Sequence, residues 1–74
     1  MMNDVQMDDV RSSNIRKVGY DFNKNELHVQ FRNGSVYVYS EVPPQTHRGL
    51  MAADSVGGYL DRFIKNKFTF RKVA

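Results

Sequence analysis

Leu27-His28-Val29-Gln30-Phe31-Arg32-Asn33-Gly34-Ser35-Val36-Tyr37-Val38-Tyr39 is the stretch that decides the fold. Two runs alternate with period two and are split by Asn33-Gly34, the dipeptide most favourable to a type I′ turn, in which both central residues take φ > 0. The reading is a β-hairpin. A two-residue turn pairs Phe31 with Val36, Gln30 with Tyr37, Val29 with Val38 and His28 with Tyr39. One face then carries Leu27, Val29, Phe31, Val36 and Val38, and the other carries His28, Gln30, Arg32, Tyr37 and Tyr39. Because side chains alternate strictly, a slip of one residue exchanges the faces of a strand.

Working outward, Ile15–Asp21 reads as the preceding strand. Phe22-Asn23-Lys24-Asn25 has the composition of a four-residue hairpin loop. That length sets Asp21 against Glu26, Tyr20 against Leu27 and Val18 against Val29, which adds Val18 and Tyr20 to the apolar face. Gly19 falls on the opposite face near His28, where its missing side chain leaves room for a neighbour. Residues 1–11 are polar, acidic and aperiodic, and are read as a frayed tail before a single domain over 12–74, with Val10 closing against the sheet. Ser12-Ser13-Asn14 is a turn cluster whose side chains bond nearby backbone.

After Tyr39, Pro43-Pro44 stops the sheet, and Pro44 suits the first turn of a helix. A helix from about Pro44 to Ala53 sets Thr46, Leu50 and Ala53 along one side, with His47 and Met51 beside them. Gly49 inside it costs about 1 kcal/mol relative to alanine, which a close crossing would justify. Asp54-Ser55 offers an N-cap for a second helix whose apolar side is Val56, Tyr59, Leu60, Phe63 and Ile64. Gly57 and Gly58 in its first turn suit either tight packing or an anion at the backbone N–H groups. Phe68-Thr69-Phe70-Arg71-Lys72-Val73 alternates and is read as a short last strand. The expected architecture is α+β: an antiparallel meander of three to four strands, then two helices on one face and a short C-terminal strand.

At 74 residues the chain is one domain, and only roughly 60% of its unfolded surface becomes buried at this size. It has no cysteine, so neither a disulfide nor a thiolate site staples it. The first residues lack the basic flank and apolar run of a secretory signal, and no segment reaches the roughly 20 apolar residues of a membrane span. A cytoplasmic protein with no membrane contact is the expectation. Net charge is +3, unevenly spread: from Arg62 onward there are five basic residues and no acidic one. Such polarity attracts polyanions, nucleic acid first and acidic membrane second, or else solvates a helix and a strand.

Two groups of residues are candidates for binding. Tyr37 and Tyr39, with His28, Gln30 and Arg32 on the same face, form a platform on which unstacked bases can lie; the other reading packs both rings in the interior. Lys65, Lys67, Arg71 and Lys72 interleave with Phe68 and Phe70, a pattern suited to phosphates with stacking between them. His28 and His47 sit in no nucleophile or metal motif, so neither an enzyme nor a metal or cofactor is expected.

Taken together, Ser12-Ser13-Asn14-Ile15, Val18-Gly19-Tyr20-Asp21, Leu27-x-Val29-x-Phe31, Gly34-x-Val36-Tyr37-x-Tyr39, Val42-Pro43 and Ala53-x-Ser55-x-Gly57-x-Tyr59 resemble the KTSC domain. That domain is named for the C-terminal end of some lysyl-tRNA synthetases and also stands alone in small bacterial and phage proteins. The resemblance spans residues 10–73 and departs at Val56, where a basic residue is expected. It implies the fold above and suggests RNA binding. The expected function is a non-catalytic module that binds single-stranded RNA or tRNA through Tyr37, Tyr39, Arg32, His28, Lys65, Lys67, Arg71 and Lys72. The alternative is a protein-interaction module docking on a larger partner through a hot-spot face or an exposed sheet edge.

Overall fold

The computed structural model describes residues 5–74. Five strands form one antiparallel sheet in the order β1-β2-β3-β4-β5: β1 Met7–Asp9, β2 Ile15–Asp21, β3 Glu26–Phe31, β4 Val36–Tyr39 and β5 Phe70–Lys72. Between β4 and β5 run helix α1 (Pro44–Ala52) and helix α2 (Val56–Tyr59), which continues into a π-helical turn over Leu60–Ile64. This is the expected α+β architecture, a four-stranded meander, two helices and a short C-terminal strand. Met7–Asp9, read from the sequence as tail, pairs along β2 as an edge strand. It has no apolar alternation because two of its three residues are exposed, so backbone pairing holds it. Residues 1–4 of that expected tail lie outside the described residues.

The β2–β3 register is the expected one, with Asp21 against Glu26, Tyr20 against Leu27 and Val18 against Val29. Asp21 Oδ1 closes the loop by accepting the N–H groups of Asn23 (2.9 Å) and Lys24 (3.2 Å). Gly19 faces His28, and a Cβ there would overlap Met7 Sδ, Gln6 O and Val5 Cγ1. The room left by the missing side chain is filled by the N-terminal segment.

The β3–β4 register differs from the expectation by one residue. Leu27 faces Tyr39, His28 faces Val38, Val29 faces Tyr37 and Gln30 faces Val36. The loop is Arg32-Asn33-Gly34, three residues long. Phe31 N–H donates to Ser35 O and Gly34 N–H donates to Phe31 O, both at 2.9 Å. Only Gly34 takes a positive φ (95°), as in a type I turn followed by a glycine bulge. Asn33 Oδ1 seals it by accepting the Ser35 N–H (3.0 Å) and hydroxyl (2.7 Å). Tyr37 and Tyr39 therefore share the helix-covered face with Leu27, Val29 and Phe31, and Val36 and Val38 turn to the other. The physical gain is area: a buried phenol ring removes roughly 150–250 Å² from water, more than a valine can.

The core between sheet and helices holds Ile15, Val18, Tyr20, Leu27, Val29, Tyr39, Val42, Leu50, Val56, Leu60 and Ile64, with Val10, Phe31, Tyr37, Tyr59 and Phe68 against it. Val42 ends the sheet with its carbonyl accepting the Tyr20 hydroxyl. Pro44 opens α1, and the Tyr59 ring lies where a Cβ on Gly49 would be. The close crossing that justifies Gly49 is thus a side chain against backbone. Ser55 caps α2 by accepting the Gly58 N–H (3.0 Å), and Gly57 packs against Asn14 and Ser12. The π turn, closed by Lys65 N–H donating to Leu60 O (2.7 Å), keeps Leu60 and Ile64 in the core. It carries Phe63, expected on the buried side, out to 49% exposure beside Tyr59.

Candidate functional site

The one-residue register shift builds an aromatic cleft at the hairpin end of the helix-covered face. Tyr37 meets Phe31 edge to face (centroids 5.5 Å, 89°) and leans on Phe70 of β5 (5.5 Å, 45°), which also touches Tyr39 (5.7 Å). Tyr39 is the floor at 4% exposure, Phe31 and Tyr37 are half-buried walls, and Phe70 is 52% exposed at the lip. The π turn supplies Leu60 and Asp61 and the residues just after it Lys65 and Asn66 opposite the rings, and Asn14, Asn33 and Ser35 close the end. The volume is about 340 Å³, at the scale of small-ligand clefts. A larger and shallower hollow of about 560 Å³ lies outside α2 near Tyr59, Arg62 and Phe63, with a single aromatic pair.

Charge at the cleft is mixed. Lys65 Nζ sits 4.0 Å from Asp61 on an exposed surface, an ion pair weak enough for either group to be drawn away by a ligand. Burial, then Tyr37 and the Asp61 carboxylate, push the Tyr39 phenol above its ordinary range.

The face that the sequence reading gave to His28, Gln30, Arg32, Tyr37 and Tyr39 does not form. Both tyrosines lie on the other side of the sheet from His28 and Gln30. His28 Nε2 is buried without a hydrogen-bond partner, and burial lowers its pKa, with Arg71 and Lys24 adding to the effect and Glu26 and Asp21 opposing it. Arg71 is placed beside Val38 on that same open face and reaches over β4 to Glu26 through two contacts of 3.3 and 3.4 Å. Arg32 lies at the hairpin loop with Nε donating to the Ser12 carbonyl (2.9 Å). Lys72 stands on β5 opposite Tyr37, and Lys67 borders a separate hollow with Ser40, Glu41, Phe68 and Thr69. Of the eight predicted residues, the cleft brings together Tyr37, Tyr39 and Lys65, with Lys72 near by.

The KTSC domain profile matches residues 11–68. The chain belongs to the KTSC domain family. Among solved structures, the crystal structure of a KTSC domain protein from Yersinia pestis superposes with a TM-score of 0.91 at 40% identity, covering 96% of this chain and all of that one. A protein of Tsukamurella paurometabola is 39% identical over 62 residues, 84% of this chain and 92% of that protein. A lysine–tRNA ligase of Nostoc punctiforme is 37% identical over 60 residues, which is 81% of this chain and 11% of the ligase. A KTSC domain thus occurs both in small proteins and within lysine–tRNA ligases.

In this KTSC domain the cleft also uses Phe31, Phe70, Asn14 and Asn33, which the sequence reading did not place in the tyrosine site. A signal for two of them was present. Phe70 sits in the alternating basic run, and Asn33 is half of the turn dipeptide. Among the described residues no group of three His, Cys, Asp or Glu side chains can hold a metal ion, and no helix is long and apolar enough to cross a membrane.

Proposed function

We propose that this KTSC domain is a binding module without chemistry of its own, taking single-stranded RNA, including single-stranded parts of tRNA, in the aromatic cleft. The observation that carries the reading is the Phe31–Tyr37–Phe70 array, three ring faces only partly covered, beside Lys65 and Lys72. A base stacked on such a ring contributes roughly 1–3 kcal/mol whatever its sequence, while cations track the phosphates. The occurrence of the domain inside lysine–tRNA ligases, enzymes that handle tRNA, supports the same reading. Lys65, Lys67, Lys72 and the free end of Arg32 are assigned to phosphate, and Tyr37 and Phe70 to bases. Tyr39 supports them from below. His28 and Arg71, across the sheet, are left out.

The test is fluorescence anisotropy with a labelled 12-nucleotide RNA at low salt. Phe70→Ala should cost about tenfold in affinity, one stacked base, and should lower the melting temperature less than loss of the buried Tyr39 ring, because Phe70 is 52% exposed. Each phosphate-contacting lysine removed should flatten the salt dependence by about 0.7 in slope. If wild-type protein binds no RNA at low salt, the reading is wrong. A protein partner is the second reading, favoured by β5, an edge strand with one side unpaired and with Phe70 and neighbouring Val73 exposed.

A further inference from the structure

The polar rim of the cleft is fixed in a way that selects among bases. Asn33 Oδ1 accepts both the N–H and the hydroxyl of Ser35. A backbone N–H can only donate, so the oxygen of that amide is assigned by its partner, and both of its lone pairs are used. At Asn14 the same logic runs through Ser12. Ser12 Oγ accepts the N–H groups of Asn14 (3.3 Å) and Ile15 (3.2 Å), so its one hydrogen is left to donate, and it does so to Asn14 Oδ1 (2.9 Å). Gly57 crowds the same oxygen, since a Cβ there would come within 2.9 Å of it. Two of the three asparagine amides that line the cleft, Asn14 and Asn33, therefore hold their oxygens in the fold's own hydrogen bonds and have their Nδ2 donors left over.

The remaining rim groups divide unequally. Tyr39 contributes a phenol hydroxyl, and Lys65 contributes an ammonium. On the acceptor side stand the Asp61 carboxylate, 4.0 Å from that ammonium, and the hydroxyl oxygen of Ser35. Asn66 can present either end of its amide. Donors thus outnumber acceptors beside rings that bind any base by its face.

We infer that the cleft selects keto bases, uracil and guanine, whose edges present carbonyl oxygens to the Asn14 and Asn33 amide donors. Adenine and cytosine present an exocyclic amine in the corresponding position, which meets a second donor there and leaves both unpaired. This rests on the RNA-binding reading above and goes beyond it, because stacking and phosphate contacts alone give only modest preferences among bases, and those would not move with the Asn33 amide.

Labelled U12, (GU)6, A12 and C12 RNAs, titrated with the wild-type domain at one salt concentration, provide the test. U12 and (GU)6 should bind about tenfold more tightly than A12 and C12. Asn33→Asp keeps an oxygen for the Ser35 bonds while replacing the donors by an acceptor. It should weaken all four RNAs through its charge and, in addition, collapse the ratio of U12 to A12 affinity toward one. Equal binding of the four RNAs overturns the base selection while leaving RNA binding intact, and binding of none overturns both. A preference for A12 or C12, or a ratio unmoved in folded Asn33→Asp, also overturns the assignment. The ranking of RNAs by the wild-type protein needs no variant to fold.

Discussion

Along β4 successive side chains enter two different environments. Tyr37 and Tyr39 join an aromatic layer under the helices, whereas Val36 and Val38 turn to a face crossed, among the described residues, by the N-terminal segment and the Arg71–Glu26 pair. Val38 is nonetheless buried, at 1% exposure, in the row Gly19–His28–Val38–Arg71. The two faces are covered by different means and the ring side more completely: Val18, Leu27, Val29 and Tyr39 are buried, whereas Glu26, His28, Gln30 and Val36 are half-buried. One is packed by large rings against helices, and the other is covered by a strap and a long arginine stem. On the ring side the cleft opens at the hairpin end. A surface able to take a planar ligand arises where an aromatic core runs past the helices that cover it.

Truncation should separate the two faces most strongly. Tyr39→Ala should destabilise the domain by about 3–5 kcal/mol, as for other large aromatic-to-alanine changes in a core. Val38→Ala should cost about 1.5 kcal/mol, at about 0.8 kcal/mol per buried CH₂. Urea denaturation of the two variants measures the difference, and a larger loss at Val38 would reverse the comparison.

A smaller effect is expected from blocking the strap. Gly19→Val puts carbon where Met7 Sδ, Gln6 O and Val5 Cγ1 now lie, so the N-terminal segment must lift, at a cost of about 1–3 kcal/mol. Hydrogen exchange should then speed up at Met7–Asp9 and stay unchanged in β3. Unchanged exchange at Met7–Asp9 would show that the segment does not depend on Gly19.

The weakest expected effect is on pH dependence. His28 and His47 both have pKa values lowered chiefly by burial, so the fold keeps them neutral where the unfolded chain takes up protons. Stability from this source is complete above the unfolded pKa of about 6.5 and is lost as pH falls below it. The melting temperature should drop between pH 7 and pH 5. His28→Gln should remove part of that drop and leave the part due to His47, and an unaltered profile would mean that His28 is already hydrated in solution.

What the sequence disclosed depends on how much each local signal constrains. The four-residue loop after Asp21 has one natural pairing, and Tyr20 against Leu27 and Val18 against Val29 follow from it. Asn33-Gly34 fits either a two-residue turn or a three-residue one with the glycine alone in the left-handed region, and a single residue of difference moves both tyrosines across the sheet. A 3.6-residue period puts Phe63 inward, and the π turn does not keep that period. Edge strand β1 carries no apolar pattern to read. Of the candidate site, Tyr37 and Lys65 were legible as residue types, but their meeting with Phe70 and Asn33 depends on long-range packing.

The most direct measurement is an NMR titration of the ¹⁵N-labelled domain with U12 RNA, following amide shifts on both faces at once. The largest changes are expected at Asn14, Phe31, Asn33, Tyr37, Lys65 and Phe70, with His28, Val38 and Gly19 nearly still. Shifts centred on His28 and Val38 instead, or none anywhere at low salt, would contradict the assignment of binding to the aromatic face.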